Sequence, residues 1–581
     1  MMLAALNVFA HARGLVDDPL YETKPVDFLV RISSQGKFIK LESRQDEDGR
    51  GAPMSIPRLP MRAANIAAGF FVDNPKYVLG FDKDDGGAGN KAKRAEKTAA
   101  RLAAFLAPVR AVAASAKSPE VRAVAAFLES DEARGAVLAE RPQDEWTGSE
   151  LLAFAVGDAT DPVHQLPTVR EEWARINDEK KAQGKTGRCL VTGREAVLAR
   201  LHEKLKNVPE AQAAGASLVS FNAKAFESHG LEQGDNAPIS QDAALGYALA
   251  LNHLLKGTES RRFRQGIQVG KDSVLVFWTN ASESAESLLL SYMDPTEEDL
   301  RRVLEAPLKG LESIELDDKR FYSVTLAGNA GRVVVRDWFE TRLGDVVRNI
   351  RKYFTDLHVG NTPPKPVPVW RLLSAIEAPG GRGLTPDVAT RMLGAALLGH
   401  ALPRQVLVSA LDRLRLPPGK PELEREQLRL RVALIKAYLL RLRRDNTTLL
   451  EVTVSLDKTQ TAQPYVLGRL FAVLERLQSA ALGGDLNATI RDRYFGAASR
   501  NPITVFPRLL QLAVHHAAKA DNGKWLERVQ GEVMALLPAN RFPRILSLED
   551  QGLFAVGYYH QREAFFTKRS PTEGGAPPSE S

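Results

Sequence analysis

The sequence predicts an α+β protein: a mixed N-terminal region of short β-strands and helices, followed by a C-terminal all-α helical bundle. Three observations lead to this fold class. Short apolar runs with strand character occur in the N-terminal part, and amphipathic patterns with a period of about 3.6 residues dominate the C-terminal part. A proline-rich segment, TPPKPVPV at 362–369, separates the two and is typical of a linker.

The first elements mix one helix with strands and a tight turn. An amphipathic helix is predicted near the N-terminus, and strands are predicted at Phe28–Ile32 and Lys37–Glu42. In GFFVDNPKYVLG, residues 69–80, two strand-like runs flank Asp-Asn-Pro. Proline biases the preceding residue away from helical angles, and asparagine favours turns, so this segment predicts a hairpin.

The middle of the chain alternates helices and strands. A glycine-rich loop at 82–97 with a basic end leads into a helix from about Ala92, and alanine-rich helical pattern runs from Lys97 to about Val156. The segment containing CLVTG predicts a strand, a turn and a helix. Further along, a helix is predicted at 242–255, and strands at 266–269, 273–278 and on both sides of a turn within 320–338.

Beyond the linker nearly all the pattern is helical. The best example has apolar residues at Leu467, Leu470, Phe471, Leu474 and Leu477. The predicted domains are an N-terminal α+β region, an α+β central region, the linker, a basic helical region, a C-terminal helical bundle and a disordered tail, at 1–110, 111–361, 362–369, 370–450, 451–568 and 569–581.

The charge of the chain is concentrated in one region. The net charge is +7, and residues 370–450 hold fourteen Lys and Arg against seven Asp and Glu, which equals the surplus of the whole chain. Such a segment indicates a polyanionic partner, or else a helical domain with an arginine-rich solvated face. The single cysteine, Cys189, excludes an internal disulfide and fits a reducing cytoplasm. The sequence has no apolar run of about 18 residues, so no membrane-spanning helix is expected.

An enzyme would need a set of catalytic side chains, and the sequence offers few. His515, His516 and His560 occur in the helical part without a matching pattern of carboxylates or cysteines, so no metal site is predicted. Asp317-Asp318 is an isolated acidic pair, whereas two-metal nucleases need several converging acids. We therefore expect a binding protein with no catalytic residue, no metal and no cofactor.

Amides and cations occur in positions suited to nucleic-acid contact. Asn74 and Lys76 lie on the predicted turn, where an amide can pair with a base edge and an ammonium can neutralise a phosphate. A second set places cations and amides near aromatic residues, which suits backbone contacts and stacked strands: Lys91, Lys93, Arg94, Gln212, Ser220, Phe221, Asn222, Asn236, Arg261, Arg262 and Arg264. A third set in the basic region comprises Arg441, Arg443 and Arg444. For each residue a solvated surface position or a cap is the alternative.

Seven ordered blocks of the chain are similar to one known family. They are DDPLYETKPVDFLV, GFFVDNPKYVLG, CLVTG, GASLVSFNAKAFESHG with QGDNAPIS, LAGNAGRVVVRDW, QPYVLGRLFAVLERLQ and LFAVGYYHQR. On these blocks the chain resembles the large subunit of the type I-C CRISPR Cascade complex over essentially its whole length. Two positions depart from the family pattern: His229 replaces a tyrosine, and Ala327-Gly328-Asn329 replaces the commoner Ser-Pro-Asn.

The resemblance implies a non-catalytic, cytoplasmic subunit of an RNA-guided antiviral DNA surveillance complex. The N-terminal region would recognise the protospacer-adjacent motif in duplex DNA, with Asn74 and Lys76 reading it, and would help to open the duplex. The C-terminal bundle would resemble the small subunit and stabilise the R-loop. The implied partners are CRISPR RNA, a backbone subunit in several copies, a processing subunit, a small subunit, and a helicase-nuclease recruited in trans.

The resemblance also bears on how the small subunit is made. In this family it can come from an internal translation start within the same gene. Here the helical block begins just after EVTVSLDKTQTAQPYVLG, so a start at Val452 or Val454 is expected if the codon there is GTG.

Two other classes of function stay open at the level of sequence. One is an enzyme, a metal-dependent nuclease or a helicase partner. The other is a purely structural protein-interaction scaffold whose basic helices meet acidic protein surfaces.

Overall fold

The computed structural model describes the chain except for residues 61, 63–65, 83–90, 116–117, 259–260, 270–271, 281–285, 287–288, 291–318, 361–366, 379–385, 417–420, 446–451, 484–488, 539–541 and 567–581. The chain forms two compact units. The first unit consists of Met1–Leu205 and Ser217–Asn252, and the second of Lys206–Ala216 and His253–Ser581. Small sheets occur in the N-terminal half and helices dominate the C-terminal region, so the predicted α+β class is confirmed.

The first unit begins with a helix and four strands: α1 (Met2–Ala12), β1 (Tyr21–Val26), β2 (Phe28–Ile32), β3 (Phe38–Ser43) and β4 (Ala52–Pro57). It continues with α2 (Pro75–Val78), α3 (Lys91–Ser115), α4 (Pro119–Glu129), α5 (Asp131–Ala139), β5 (Leu152–Val156), α6 (Pro167–Ala182), β6 (Thr186–Arg188), β7 (Glu195–Val197) and α7 (Gln241–Leu255), the end of α7 belonging to the second unit. The strands predicted at Phe28–Ile32 and near Lys37–Glu42, and the helix predicted at 242–255, are confirmed.

The core of the first unit lies on both faces of a three-stranded sheet with the order β3-β2-β5. β2 and β5 run parallel and pair Val30 with Phe154. These two side chains pack with Phe127 of α4 on one face, while Leu29 packs against the β1–β4 pair on the other. A sheet covered on both faces requires strands that are apolar throughout, which explains the runs FLVRI and LAFAV.

The second unit begins with a sheet: β8 (Gly266–Val269), β9 (Ser273–Thr279), β10 (Arg320–Asn329) and β11 (Arg332–Arg342), in the antiparallel order β11-β10-β9-β8. Helices follow: α8 (Leu343–Leu357), α9 (Val369–Ile376), α10 (Pro386–Leu398), α11 (Arg404–Arg415), α12 (Pro421–Asp445), α13 (Gln463–Leu482), α14 (Ile490–Arg500), α15 (Pro502–Lys519), α16 (Gly523–Met534) and α17 (Leu548–Phe566). The predicted strands in this part are confirmed.

Helix α13 is the centre of the helical bundle. The apolar stripe predicted from its sequence, Leu467 to Leu477, is fully buried, and burial of each such side chain contributes about 1.5–3 kcal/mol to folding. The backbone of α17 approaches α13 closely at Gly468, where a Cβ atom would lie 2.0 Å from the carbonyl oxygen of Phe554. The glycine therefore sets the distance between these two helices.

Three predicted elements are wrong. Residues 69–80 do not form a hairpin, because Asn74-Pro75 begins the short helix α2. The helical pattern does not extend to Val156, since Leu152–Val156 is the buried strand β5. After CLVTG, the chain forms strand β7 rather than the predicted helix, and β7 pairs with β6.

The predicted domain boundaries stay predictions. Residues 362–366 of the linker and the tail from 569 lie outside the described residues. Within the described part of the chain, no helix is long and apolar enough to cross a membrane.

Candidate nucleic-acid interface

Asn74, the first predicted motif-reading residue, is the N-cap of α2. Its Oδ1 atom accepts a hydrogen bond from the backbone amide of Lys76 at 3.2 Å, and Pro75 occupies the first helical position. The side chain of Asn74 is half-buried. Among the described hydrogen bonds, none uses its Nδ2 amino group. The amide therefore combines a structural acceptor with a donor that a base edge can use.

A buried carboxylate, Asp73, fixes the backbone just before the cap. It accepts hydrogen bonds from the amides of Gly69 and Asn74, both at 2.7 Å, and forms an ion pair with Arg62. Burial raises the pKa of Asp73, against the opposing effect of Arg62 and of the two amides. The Arg62 guanidinium also lies over the ring of Tyr77, 4.2 Å from its centroid. Asp73 and Arg62 thus hold α2 in position from inside the unit.

Lys76, the second predicted motif-reading residue, is engaged in an ion pair. Its Nζ lies 2.9 Å from Oδ1 of Asp82, and Nη1 of Arg101 lies 2.9 Å from Oδ2 of the same carboxylate. Burial alone would raise the pKa of Asp82, but the hydrogen bonds from Lys76 and Arg101 outweigh it and hold that pKa below its ordinary value. The side chain of Lys76 also passes over Gly148, where a Cβ atom would lie 3.1 Å from Lys76 Cε. Gly148 has φ +78°, a backbone conformation that favours glycine.

The next predicted cations stand at the start of α3, which packs on α2. Lys91 and Lys93 belong to the first turn of this helix, but their side chains are outside the described part of the structure. Arg94 is half-buried and engaged in further interactions. Arg101, which the sequence did not single out, stands further along the same helix and reaches Asp82.

The residues predicted to contact nucleic acid between Gln212 and Asn236 are divided between the two units. Gln212 belongs to the second unit, where its side-chain Nε2 donates to the carbonyl of Gly215 at 3.1 Å. Its backbone N–H donates to the carbonyl of Ala330 at 3.0 Å. Ser220, Phe221, Asn222 and Asn236 belong to the first unit.

Within the first unit this segment is exposed and tightly turned. Ser220 and Phe221 are half-buried, and Asn222 is exposed and engaged in further interactions. Asn236 closes the loop: its Oδ1 accepts from Ser228, and its Nδ2 donates to the carbonyls of Leu231 and Gln233. Asn236 is thus a structural amide in this conformation.

The aromatic residue of the Arg261–Arg264 segment is not available for stacking. Phe263 is buried and packs closely on Gly266, where an added Cβ atom would lie 2.9 Å from Cβ of Phe263. Arg262 and Arg264 are exposed, with the Arg262 guanidinium 5.2 Å from the centroid of the Phe263 ring, and Arg261 is half-buried. For these arginines the prediction is therefore limited to contact with the nucleic-acid backbone.

Arg441, predicted to contact a nucleic-acid strand, is buried inside the second unit. Its side chain is 1% exposed, and its Nε donates to Asp356 Oδ2 at 2.9 Å. Its Nη1 donates to the carbonyls of Ala395 and His400, both at 2.6 Å. Helix α12 places Arg441 inside the second unit because carboxylate and carbonyl acceptors there satisfy the guanidinium. The backbones of Arg443 and Arg444 continue α12, and their side chains are outside the described part of the structure.

Two further cations of the segment 370–450, Arg431 and Lys436, are likewise internal. Arg431 is buried and donates to the carbonyl of Ala375 at 2.7 Å, and burial lowers its pKa to about 10. Lys436 is buried and donates to the carbonyl of Asp356 at 3.1 Å, and burial lowers its pKa to about 8. The inference from this segment's composition to a polyanion-binding face is therefore not supported by these residues.

The candidate catalytic side chains remain scattered. His560 is buried with its Nδ1 3.0 Å from the Tyr465 hydroxyl, whereas His515 is exposed. Cys189 is buried, and its Sγ accepts from the amide of Ser240 at 3.2 Å. Asp317-Asp318 lies outside the described residues. Among the residues that the structure describes, no group of three or more His, Cys, Asp and Glu could hold a metal ion.

Sequence reasoning missed four residues that organise the α2 region: Arg62, Asp73, Asp82 and Arg101. Arg62 and Arg101 are separated from α2 by many residues, and no local pattern connects them to it. Asp73 lies within the GFFVDNPKYVLG block and Asp82 lies two residues after its end, so their acidic character near Lys76 was the available signal.

The chain was compared with models of known protein families. A family described as CRISPR-associated protein (Cas_Csd1) matches residues 8–566, which is nearly the whole chain. No curated protein matches the chain.

Proposed function

The chain belongs to the CRISPR-associated Cas_Csd1 family, and from this premise we propose that it is the non-catalytic large subunit of a type I-C Cascade complex. In that role it recognises the protospacer-adjacent motif in duplex DNA, helps to open the duplex and stabilises the resulting R-loop. The observation that carries the proposal is the family match across both units, which agrees with the seven blocks of similarity in the sequence.

The α2 region is the proposed motif-reading site. Asn74, the N-cap of α2, offers an amino group, and Lys76 on the same short helix offers an ammonium. Asp73 fixes the backbone at Asn74 by accepting a hydrogen bond from its amide. An amide suits the edge of a base, whereas a lysine suits a phosphate. The pairing of these two groups on a rigid support favours duplex reading over general attraction to nucleic acid.

The energetic role of the subunit follows from the near balance of strand exchange. Pairing between guide RNA and target strand is about as stable as the DNA pairing it replaces, so protein contacts to the backbone decide whether exchange proceeds. We propose that this chain supplies such contacts within a complex of CRISPR RNA, several copies of a backbone subunit and a processing subunit. DNA cleavage is left to a helicase-nuclease that docks on the complex.

The proposal includes a small subunit that begins at Val452 or Val454 of this chain. Residues after that point are well anchored to the bundle: the Val454 carbonyl accepts from Gly360 at 2.9 Å, and Arg469 Nη1 donates to the carbonyls of Asp457 and Lys458. A second, shorter polypeptide in the purified complex supports this origin. Purification of the full-length product alone contradicts it.

The decisive test of motif reading is the substitution Asn74→Ser in the assembled complex. Serine keeps a cap acceptor for α2 without changing the charge, but it removes the amino group that reads the base. We expect affinity for motif-bearing duplex to fall by about 1–3 kcal/mol, the usual value of a specific base contact. Affinity for duplex without the motif, and retention of CRISPR RNA, should not change.

Asn236→Ser is the matched control, because it removes an amide of the same unit whose polar atoms are all bonded within its own loop. Equal loss of binding to duplexes with and without the motif in Asn74→Ser would contradict base reading at α2. Cleavage of labelled DNA by the isolated chain with magnesium would contradict the non-catalytic role.

A further inference from the structure

The carboxylate of Asp82 bridges two cations beside the proposed reading residue. One oxygen lies 2.9 Å from Lys76 Nζ and the other 2.9 Å from Arg101 Nη1. The exposed side-chain fractions are 32% for Lys76, 20% for Asp82 and 16% for Arg101. These groups are neither sealed in the core nor fully solvated, so their attraction is stronger than that of an ordinary surface pair and can still be exchanged for another anion.

The other acid of the region, Asp73, behaves differently. Its side chain has no exposure, and its oxygens accept from two backbone amides as well as from Arg62. Replacing that carboxylate by a ligand would break the local backbone structure. Among the described residues, Asp82 is joined by hydrogen bonds and ion pairs to side chains alone, Lys76 and Arg101. Asp82 can therefore be released without unfolding α2.

The Asp82 carboxylate presents two oxygens to two cations, as a non-bridging pair of phosphate oxygens would. A phosphate of the DNA backbone that contacts Lys76 must therefore displace the Asp82 carboxylate. For a duplex that offers nothing more than its backbone, this exchange replaces one anion by another and gains little. A duplex that also gives Asn74 a base contact has additional binding free energy with which to complete the exchange.

We propose that Asp82 is a specificity-determining residue that withholds Lys76 and Arg101 from the DNA backbone until a motif is bound at Asn74. This inference rests on the proposed function of the α2 region and adds a mechanism to it. It assigns Asp82 no contact with a base. Its effect is to weaken binding to duplexes that lack the motif, which greatly outnumber the correct sites.

The test measures duplex binding by the assembled complex carrying Asp82→Asn, over a series of salt concentrations. Freed Lys76 and Arg101 should add phosphate contacts on duplex without the motif, raising its affinity at least about threefold. They should also steepen the slope of log affinity against log salt by about 0.9 for each new contact. Affinity for motif-bearing duplex should change less, so the ratio between the two duplexes falls. The charge-preserving Asp82→Glu should keep the wild-type ratio.

Asp131→Asn is the matched control. It changes the charge of the same unit by the same amount, but Asp131 is 94% exposed and its partner Arg134 is only 12% exposed. Removing this acid therefore uncovers no accessible cation, and we expect neither affinity nor salt slope to change. If Asp82→Asn behaves as Asp131→Asn does, Asp82 does not withhold the cations, and the inference is overturned while motif reading stands.

Lys76→Gln gives an independent check that does not require Asp82→Asn to fold. Since Lys76 is withheld from duplexes without the motif, its removal should leave their binding unchanged and lower only the affinity for motif-bearing duplex. Equal losses on both duplexes would overturn the inference. A wild-type complex that binds no duplex would overturn the proposed function as well, so the two failures are distinguishable.

Discussion

The α2 region of the first unit and the end of α12 in the second unit both carry cations that the sequence marks for nucleic-acid contact, yet the structure uses them in opposite ways. Lys76 is 32% exposed and shares one carboxylate with Arg101. Arg441 is 1% exposed and donates to a carboxylate and two carbonyls. Lys76 can exchange its carboxylate partner for another anion, whereas the buried Arg441 cannot. Solvent exposure of the ion pair, rather than charge, therefore distinguishes a cation that is available for binding from a structural one.

The comparison is tested most strongly by Arg441→Met. Removing this guanidinium takes away the cation that pairs with the buried carboxylate of Asp356 and the donor to the carbonyls of Ala395 and His400. Loss of one member of a buried ion pair typically costs about 3–5 kcal/mol, so the free energy of unfolding should fall by that amount. Chemical denaturation of the full chain is the measurement.

Arg391→Met is the control for that experiment, because Arg391 is 63% exposed and pairs with Asp387 one turn away on α10. Such a pair contributes about 0.3–0.5 kcal/mol. If Arg441→Met unfolds like Arg391→Met but weakens DNA binding, Arg441 is a binding residue after all and the contrast with Lys76 disappears.

A second prediction concerns pH and the buried His560 of α17. Burial, together with the ammonium of Lys436, lowers the pKa of His560 to about 4, against the opposing effects of the Val454 carbonyl and Asp457. A histidine in an unfolded chain has a pKa of about 6.5. Between this pKa and that of folded His560, the unfolded chain binds a proton that the folded chain excludes. His560 therefore favours unfolding as pH falls from about 6.5 towards 4, by about 3 kcal/mol in total.

His560→Gln should flatten the dependence of unfolding free energy on pH in this window, whereas the same change at the exposed His515 should leave it as it is. Buried His164 and His202 in the first unit, whose pKa values are each also lowered to about 4 by burial, keep their own contribution in both variants. An identical pH dependence in the two variants would mean that His560 is protonated within the folded bundle.

How far the sequence predicts this molecule can be judged from the same two regions. The stripe from Leu467 to Leu477 was predicted correctly because amphipathic periodicity is a local property of the chain. The hairpin predicted for GFFVDNPKYVLG was wrong, because Asn-Pro is as good a helix start as a turn, and motif reading by this block stays a prediction. The burial of Arg441 could not be predicted because its acceptors, Asp356 and the carbonyl of Ala395, come from α8 and α10, which no local pattern connects to α12.

A third prediction separates the two uses of Asn74. Asn74→Ala removes the acceptor for the Lys76 amide and should lower the free energy of unfolding by about 1 kcal/mol, whereas Asn74→Ser should change it by less. Hydrogen exchange at the amides of α2 is the local measurement. If both variants exchange alike, the cap does not stabilise α2, and any loss of DNA binding in Asn74→Ala reports the amide alone.

The smallest expected effect is at Arg262 and Arg264, which are more exposed than the half-buried Lys76 and flank the buried Phe263. They lack a stacking surface, so they can add only charge, and their double replacement by glutamine should reduce the salt slope of duplex binding by at most about 0.9 per lost contact. Motif preference should not change, because backbone contacts carry no sequence information.

Arg391→Gln on α10 is the control for one exposed arginine of the same unit. If the salt slope of the double variant is as steep as that of the wild type, Arg262 and Arg264 belong to the solvated surface. The cations of the α2 region would then remain as the proposed contacts with DNA.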